Sequence, residues 1–514
     1  MMRHPRLYKL VSFLVLIVVF SSGCTASDVQ TTHLNSYIPS ETQQTAPELT
    51  AVEAGIVCTG LGDNFLISND HQLHSICELI YDSLFIKTGA ASYEESIVKT
   101  YTVIEKEDSV ALWSFSIRTD IVFSDSGTKL TAKDCVDTIN YIKNNGGYYA
   151  ENLSSVISCS QTSPYSFEIE CESDCDDLVK SLVFPIIPSS SLSQPSILLT
   201  EGSGSFVVEE YEQDKNMLLL IGNNDSWKRT VRISELNIHV FGTNEELYAC
   251  YANNELDYAV FSSEFGIPAV ASKDTTILLN PGDSIKLLEL NKDSGILSDL
   301  DMRETVISAI NRDQLARLIQ PSQAIEINRV QGTGIAETKN SFVYECDLQR
   351  SKYCFESYLR QNPEIEPEGI ILEIVVESVF DNKTDYNIAL FIQEDLNRIG
   401  VQTNISLLNS AEYQAALEHG SFDIAIRNCH VRDNTSIRYY DYFDLPVSAY
   451  DSVMAGEENS LYCSDEALNR IEEFIYRQQH ILPLYQDADC ILYRNLELNA
   501  MISGPDHAFS VLKY

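Results

Sequence analysis

The sequence predicts an α/β protein made of two lobes. Three observations carry this. At 514 residues the chain is too long for one hydrophobic core. Residues 370–426 read as a β-α-β-α-β run, and residues 235–261 read as a shorter β-α-β unit of the same kind.

In the longer run, residues 370–376 (IILEIVV) form an apolar, β-branched strand. Residues 385–399 place Ile388, Phe391, Ile392, Leu396 and Ile399 at helical spacing, and Gly400 follows as the residue that ends the helix. Residues 401–407 alternate Val401, Thr403, Ile405 and Leu407 on one face. A second helix covers 411–418 and ends near Gly420, and a strand, FDIAI, covers 422–426. Alternation of this kind builds a mostly parallel sheet covered by helices. In the shorter unit, 235–241 (ELNIHVF) is a strand, 243–253 a helix and 256–261 (LDYAVF) a strand. Two such lobes hold a ligand between them, beyond the carboxyl ends of their strands. Residues 113–143 differ: they read as strand, turn, strand, then a helix starting at Thr131. Thr131 is its N-cap and Asp134 closes a capping box.

The N-terminus reads as an export signal, residues 1–23. Arg3, Arg6 and Lys9 precede the apolar stretch Leu10–Phe20, too short to span a membrane. Ser22, Gly23 and Cys24 match the end of a bacterial lipobox, with Ser21 where an aliphatic residue is usual. Lipidation at Cys24 would anchor the protein to the outer face of a membrane. Residues 24–49, rich in Thr, Ser, Gln and Pro, then form a flexible tether spanning about 25 Å.

The formal charge is −40, which argues against nucleic-acid binding and against adsorption to anionic lipid. Hydrophobic residues at 44% supply packed cores and exclude a disordered acidic polymer. Of the 13 cysteines, twelve remain after Cys24, an even number in an exported chain, although no CxxC occurs. Cys346 with Cys354, and Cys159 with Cys171 or Cys175, are the nearest candidate pairs.

Fingerprints of hydrolases, zinc proteases, P-loops and dinucleotide sites are absent from the sequence. One constellation stands out. His71, His74 and Cys77 are spaced i, i+3 and i+6; if the stretch is helical, His71 and His74 share a face and Cys77 lies near it. It has two readings: a soft-metal site for Zn²⁺, Ni²⁺ or Cu²⁺, or polar histidines at a helix start with a buried Cys77.

The stretch WSFSIRTDIVFSDSGTKLTAKDCVDTINYIKN (113–144) resembles the signature of family 5 extracellular solute-binding proteins, the peptide- and nickel-binding components of ABC importers. Trp113, Phe115, Ile117, Arg118, Val122, Phe123, Asp125, Gly127, Leu130, Thr131, Ala132, Asp134 and Val136 hold matching places. Ser126 is a one-residue insertion and Lys129 replaces the usual proline. Further fragments follow the family's order: LIYDSLF (79–85), SPYSFEIE (163–170), VFPIIPSSSL (183–192), GSGSFVVEEYEQDKNMLLLIGNNDSW (202–227), YACYANNELDYAVF (248–261), LDMRETVISAINRDQLARLI (300–319) and HILPLY (480–485).

The resemblance implies a type II periplasmic-binding-protein-like fold, two main lobes with a hinge plus an extra subdomain. Lobe Ia would comprise 50–80, 200–275 and 482–514, lobe Ib 81–199 and lobe II 276–481. It implies a monomeric lipoprotein without catalysis or cofactor, which closes on a peptide or other small solute and delivers it to ABC permease subunits. A peptide- or nutrient-sensing receptor on the same scaffold is the alternative. Arg118 and Asp125 would fix the fold, and Trp113 and Trp227 would pack.

In the family an acidic residue after the strand equivalent to FDIAI pairs with the ligand's amino group. Here that loop is RNCHVRDNTSIRYYDYFD (427–444), and Asp433 is the positional match. The loop contributes Arg427, Asn428, His430, Asp433, Tyr439 and Tyr440 as candidate ligand-binding residues. Arg427, Arg432 and Arg438 make it locally basic. Either the ligand carries an anionic group or the arginines balance nearby acids.

Overall fold

The computed structural model describes residues 51–514 other than 89–92, 107–109, 125, 172–177, 194–198, 200, 225, 229–232, 264, 266, 268–273, 294, 320–323, 331–342, 379–382, 431–464, 497, 499–504 and 514. Ten strands form the path of the main sheet. They are β1 (Val52–Val57), β2 (Phe206–Glu212), β3 (Met217–Gly222), β4 (Glu235–Phe241), β5 (Tyr258–Phe261), β6 (Thr276–Leu290), β7 (Ile371–Glu377), β8 (Gln402–Leu408), β9 (Ile424–His430) and β10 (Ile481–Tyr493). Their order across the sheet is β8-β7-β9-β6-β10-β5-β1-β4-β3-β2.

The predicted β-α-β-α-β run is present. β7 pairs parallel to β8 and to β9, with the helices Thr384–Asn397 and Ser410–Glu418 as crossovers. Gly400 and Gly420 take positive φ, +90° and +60°, just after those helices, a conformation that suits glycine. In the shorter unit β4 and β5 do not pair with each other. β1 lies between them, parallel to both. A parallel partner from elsewhere in the chain leaves no mark on the local sequence.

A four-stranded antiparallel sheet runs Val98–Lys106, Val110–Ile117, Ser166–Cys171, Val156–Ser163. Trp113, Phe115 and Ile117 alternate into the core and meet Phe167 and Ile169. The helix Ala132–Asn145 starts at Thr131 with the predicted capping box. The Asp134 carboxylate accepts from the Thr131 amide at 2.9 Å and, through its other oxygen, from the Ser189 amide at 2.8 Å. The cap therefore also pins a distant segment.

Two principal hydrophobic cores result. One gathers β1, the four-stranded sheet and β2–β4 with Ala508–Leu512. The other gathers residues 288–485, around β7, β9 and the helix Thr384–Asn397. A smaller cluster around Tyr251 and Phe261 flanks the first core, with Cys490 and Leu492 of β10 as members. Cys346, Cys354 and Cys159 are free thiols, so neither the 346–354 pair nor a bond from Cys159 forms. Cys354 is buried on the helix Leu348–Gln361, where it packs as a small hydrophobe. No helix among the described residues is long and apolar enough to cross a membrane.

Candidate functional site

β6 and β10 pair with each other along almost their whole length and join the two cores. β5 covers only the carboxyl end of β10, with Phe261 opposite Cys490. β9 covers only the carboxyl half of β6, with His430 opposite Ser284. Between those limits lies a junction formed by residues 280–284 and 486–489.

The junction is polar. Asn280 is fully buried and lies opposite Asp489. The ladder shifts register between Pro281, opposite Ala488, and Ile285, opposite Gln486. Three residues thus face Asp487 alone, and Gln486 Nε2 donates to the Gly282 carbonyl at 2.6 Å. A bulge of this kind locally bends and twists paired strands. Neither principal core supplies apolar cover here, so amides and carboxylates occupy the positions that Leu, Ile and Cys hold on either side.

The carboxyl ends of the two parallel units converge on this junction. β5 ends at Phe261, one residue short of the partner of Asp489, and β9 ends at His430 beside Ser284. In open α/β sheets, ligand sites lie beyond strand carboxyl ends. The helix His71–Ile80 reaches the same place from the first core: Gln72 Nε2 donates to Asp489 Oδ2 at 2.7 Å.

Of the sequence-predicted site residues, Arg427, Asn428 and His430 belong to β9 rather than to a loop, because the strand runs four residues beyond Ile426. Pairing with Ser284–Leu287 extends it: β6 supplies backbone partners where the apolar pattern has stopped. Arg427 is half-buried and ion-paired with Glu289, its diagonal neighbour across the ladder. Asn428 is exposed, and His430 closes the strand at the junction. Asp433, Tyr439 and Tyr440 lie outside the described residues, as does Cys24.

His71 and His74 do come together, on the helix His71–Ile80, with ring centroids 6.1 Å apart. Cys77 is buried in the core, its thiol pushed well up by burial, and it is not the third member of the group. Asp506 is. Its Oδ1 lies 2.7 Å from His71 Nδ1 and 3.2 Å from His74 Nδ1. Asp506 stands in a short C-terminal turn, Pro505–His507, more than 400 residues away in sequence, so helical spacing could not indicate it. Burial raises its pKa, and the two imidazoles more than reverse that, holding the carboxyl far below the usual range.

The same helix is tied to the C-terminus at Glu78, which pairs with Lys513 at 2.6 Å and His507 at 3.2 Å. Burial raises the Glu78 pKa, but Lys513 and His507 outweigh it and bring the group down to about 2. Of the signature residues expected to fix the fold, Arg118 does structural work, and Asp125 lies outside the described residues. Arg118 pairs with Asp120 and stacks over the Trp227 ring at 4.2 Å. Trp227 Nε1 donates to the buried Asp82 carboxylate at 2.8 Å, whose other oxygen lies 2.5 Å from Lys228 Nζ.

Solved structures share this architecture. The ABC transporter substrate-binding protein CtaP of Listeria monocytogenes matches with TM-score 0.68 at 15% identity, over 91% of this chain and 99% of its own. The unliganded, open murein tripeptide-binding protein MppA matches with TM-score 0.72 at 14% identity, over 90% and 96%. The oligopeptide-binding protein AppA of Bacillus subtilis, in complex with a nonapeptide, matches with TM-score 0.56 at 15% identity, over 91% and 98%. No curated protein matches the sequence. The family model for the middle region of bacterial extracellular solute-binding proteins, family 5, matches residues 100–450, and the chain belongs to that family.

Proposed function

We propose that the chain is the substrate-binding lipoprotein of an ABC importer. In this reading Cys24 carries the lipid, residues 25–49 form the tether, and the folded part faces the extracytoplasmic side. Residues 50–80, 200–275 and 482–514 act with 81–199 as one jaw, and residues 276–481 act as the other. β6 and β10 are the hinge. A peptide-like solute enters at the polar junction, the jaws close on it, and the closed form hands it to a permease. The protein binds and releases without changing a bond.

The convergence of β5 and β9 on the junction supports this most directly. It brings chain from both cores to one place, across two strands whose pairing shifts register there. Peptide chemistry is favoured by the likeness to a protein named as murein tripeptide-binding and to an oligopeptide-binding protein solved with a nonapeptide. Native mass spectrometry of protein purified without refolding identifies the co-purified solute. Small-angle scattering with and without that solute then tests closure. A smaller radius of gyration on saturation is expected, and an unchanged profile would overturn the hinge reading.

A further inference from the structure

We propose that His71, His74 and Asp506 form a binding site for a divalent transition metal of the zinc class, which clasps the C-terminal turn onto the helix His71–Ile80. The three ligating atoms lie within 4.8 Å of one another. Two imidazole nitrogens and one carboxylate oxygen are a donor set that zinc accepts.

The hydrogen bonding around His74 carries the argument. Its Nε2 lies 3.1 Å from the Phe65 carbonyl oxygen, which can only accept. Nε2 therefore bears the hydrogen, and the neutral ring presents a bare lone pair at Nδ1. That lone pair faces Asp506 Oδ1, another lone-pair atom, at 3.2 Å. His71 Nδ1 faces the same oxygen at 2.7 Å. A neutral His71 can donate an Nδ1 hydrogen to that oxygen, but His74 cannot while its Nε2 holds the hydrogen, so the His74 contact needs either a second proton on the ring or a metal ion shared by all three atoms. A backbone carbonyl that fixes the outer nitrogen of a metal-binding histidine is the usual supporting arrangement.

The surroundings hold both rings in place. Tyr148 lies edge-on to His71 at 4.9 Å and stacked on His74 at 5.1 Å, and Tyr149 lies 4.7 Å from His74. The His74 side chain is fully buried, while those of His71 and Asp506 are 23% and 22% exposed, which gives an ion its way in. Bonds of about 2.0–2.1 Å at tetrahedral angles separate ligands by roughly 3.3 Å. The His74–Asp506 pair already has that separation, and the His71–Asp506 pair at 2.7 Å would open by roughly 0.6 Å to accept the ion.

The experiment uses the mature chain, dialysed against chelator and then titrated with Zn²⁺ or Co²⁺ under reducing conditions. One tight equivalent is expected, with a visible d–d spectrum for Co²⁺ and without the intense near-ultraviolet band of a thiolate ligand. Zn²⁺ should raise the melting temperature by several degrees. His71→Ala and Asp506→Asn should each lower affinity at least tenfold and remove the melting shift. Asp506→Asn keeps the side-chain shape and so guards against loss of fold. A wild-type chain that binds no equivalent would show that protons alone close the clasp, and overturn the proposal. Equal binding by wild type and both variants would place the ion elsewhere and also overturn it.

Discussion

Gln72 donates its side-chain amide to Asp489 at 2.7 Å, joining the first turn of the helix His71–Ile80 to the strand that crosses between the two cores. Asp489 is 9% exposed, so loss of a partner there carries a desolvation cost. Gln72→Ala should lower stability by about 1–2 kcal/mol. Gln72→Glu should cost more, since it sets a second carboxylate against the first. Urea unfolding of both variants measures this. Equal midpoints for the two would mean the contact is incidental.

The glycines of the GSGS stretch, residues 202–205, have a packing reason. A Cβ on Gly202 or Gly204 would come closer than 3.0 Å to the backbone of Ile80, the last residue of the same helix. The Gly204 amide also donates to the Ile80 carbonyl at 2.8 Å. Backbone cannot give way as a flexible side chain can. Gly204→Ala should therefore destabilise by about 2–3 kcal/mol, read as a lower melting temperature, while Gly62→Ala, in open space, should change little.

Glu78 makes stability depend on acid. Its folded-state pKa, about 2, lies below the ordinary 4.5 because Lys513 and His507 outweigh its burial. A depressed carboxylate stabilises the fold fully above the unfolded pKa and loses that contribution as pH falls toward the folded one. The effect should be on the order of 2 kcal/mol, given the partial exposure of Glu78. Wild type should lose stability between pH 4.5 and 2, and Glu78→Gln should lose less over the same window. Parallel curves would rule out the Glu78–Lys513 pair as a cause.

Cys24→Ala should move the protein from the membrane fraction to the soluble exported fraction. A single acyl chain anchors weakly, so the lipid on a bacterial lipoprotein cysteine must supply more than one. Fractionation and blotting decide it: a variant that stays with the membrane is held by something other than this residue.

What the sequence revealed follows from local pattern. The β7–β9 run was legible because its apolar residues alternate or recur at helical spacing, and because Gly400 and Gly420 end the helices. The extension of β9 through Arg427–His430 was hidden, since Arg427, Asn428 and His430 are polar and the stretch is paired with β6. β6 itself was masked by Asn280-Pro281-Gly282-Asp283, residues typical of a turn. The chain absorbs them as a register shift inside one long strand. Asp506 was out of reach of any spacing rule, because only tertiary folding brings it to His71 and His74.

The segment that follows β9 is expected to bind the ligand's amino terminus. β9 ends at His430, opposite Ser284 in the polar junction, so chain leaving it begins where the two cores meet. Asp433 is three residues further on in the sequence and would supply the negative charge that an ammonium group needs. Arg427 stands in a different position. It is half-buried within the ladder and matched by Glu289, so its charge is balanced inside the sheet. The two substitutions should therefore separate. Asp433→Ala should weaken a ligand with a free amino terminus by roughly 1.5–3 kcal/mol, the worth of a hydrogen bond to a charged group, with no change in melting temperature. Arg427→Ala should lower stability by about 1 kcal/mol or more, because it strands Glu289, and change affinity less. Calorimetry with the co-purified solute and with its N-acetylated form tests both. The acetylated form should bind the wild type as weakly as the free form binds Asp433→Ala. If both forms bind alike in wild type and variant, the amino terminus is read elsewhere and this segment leaves the site.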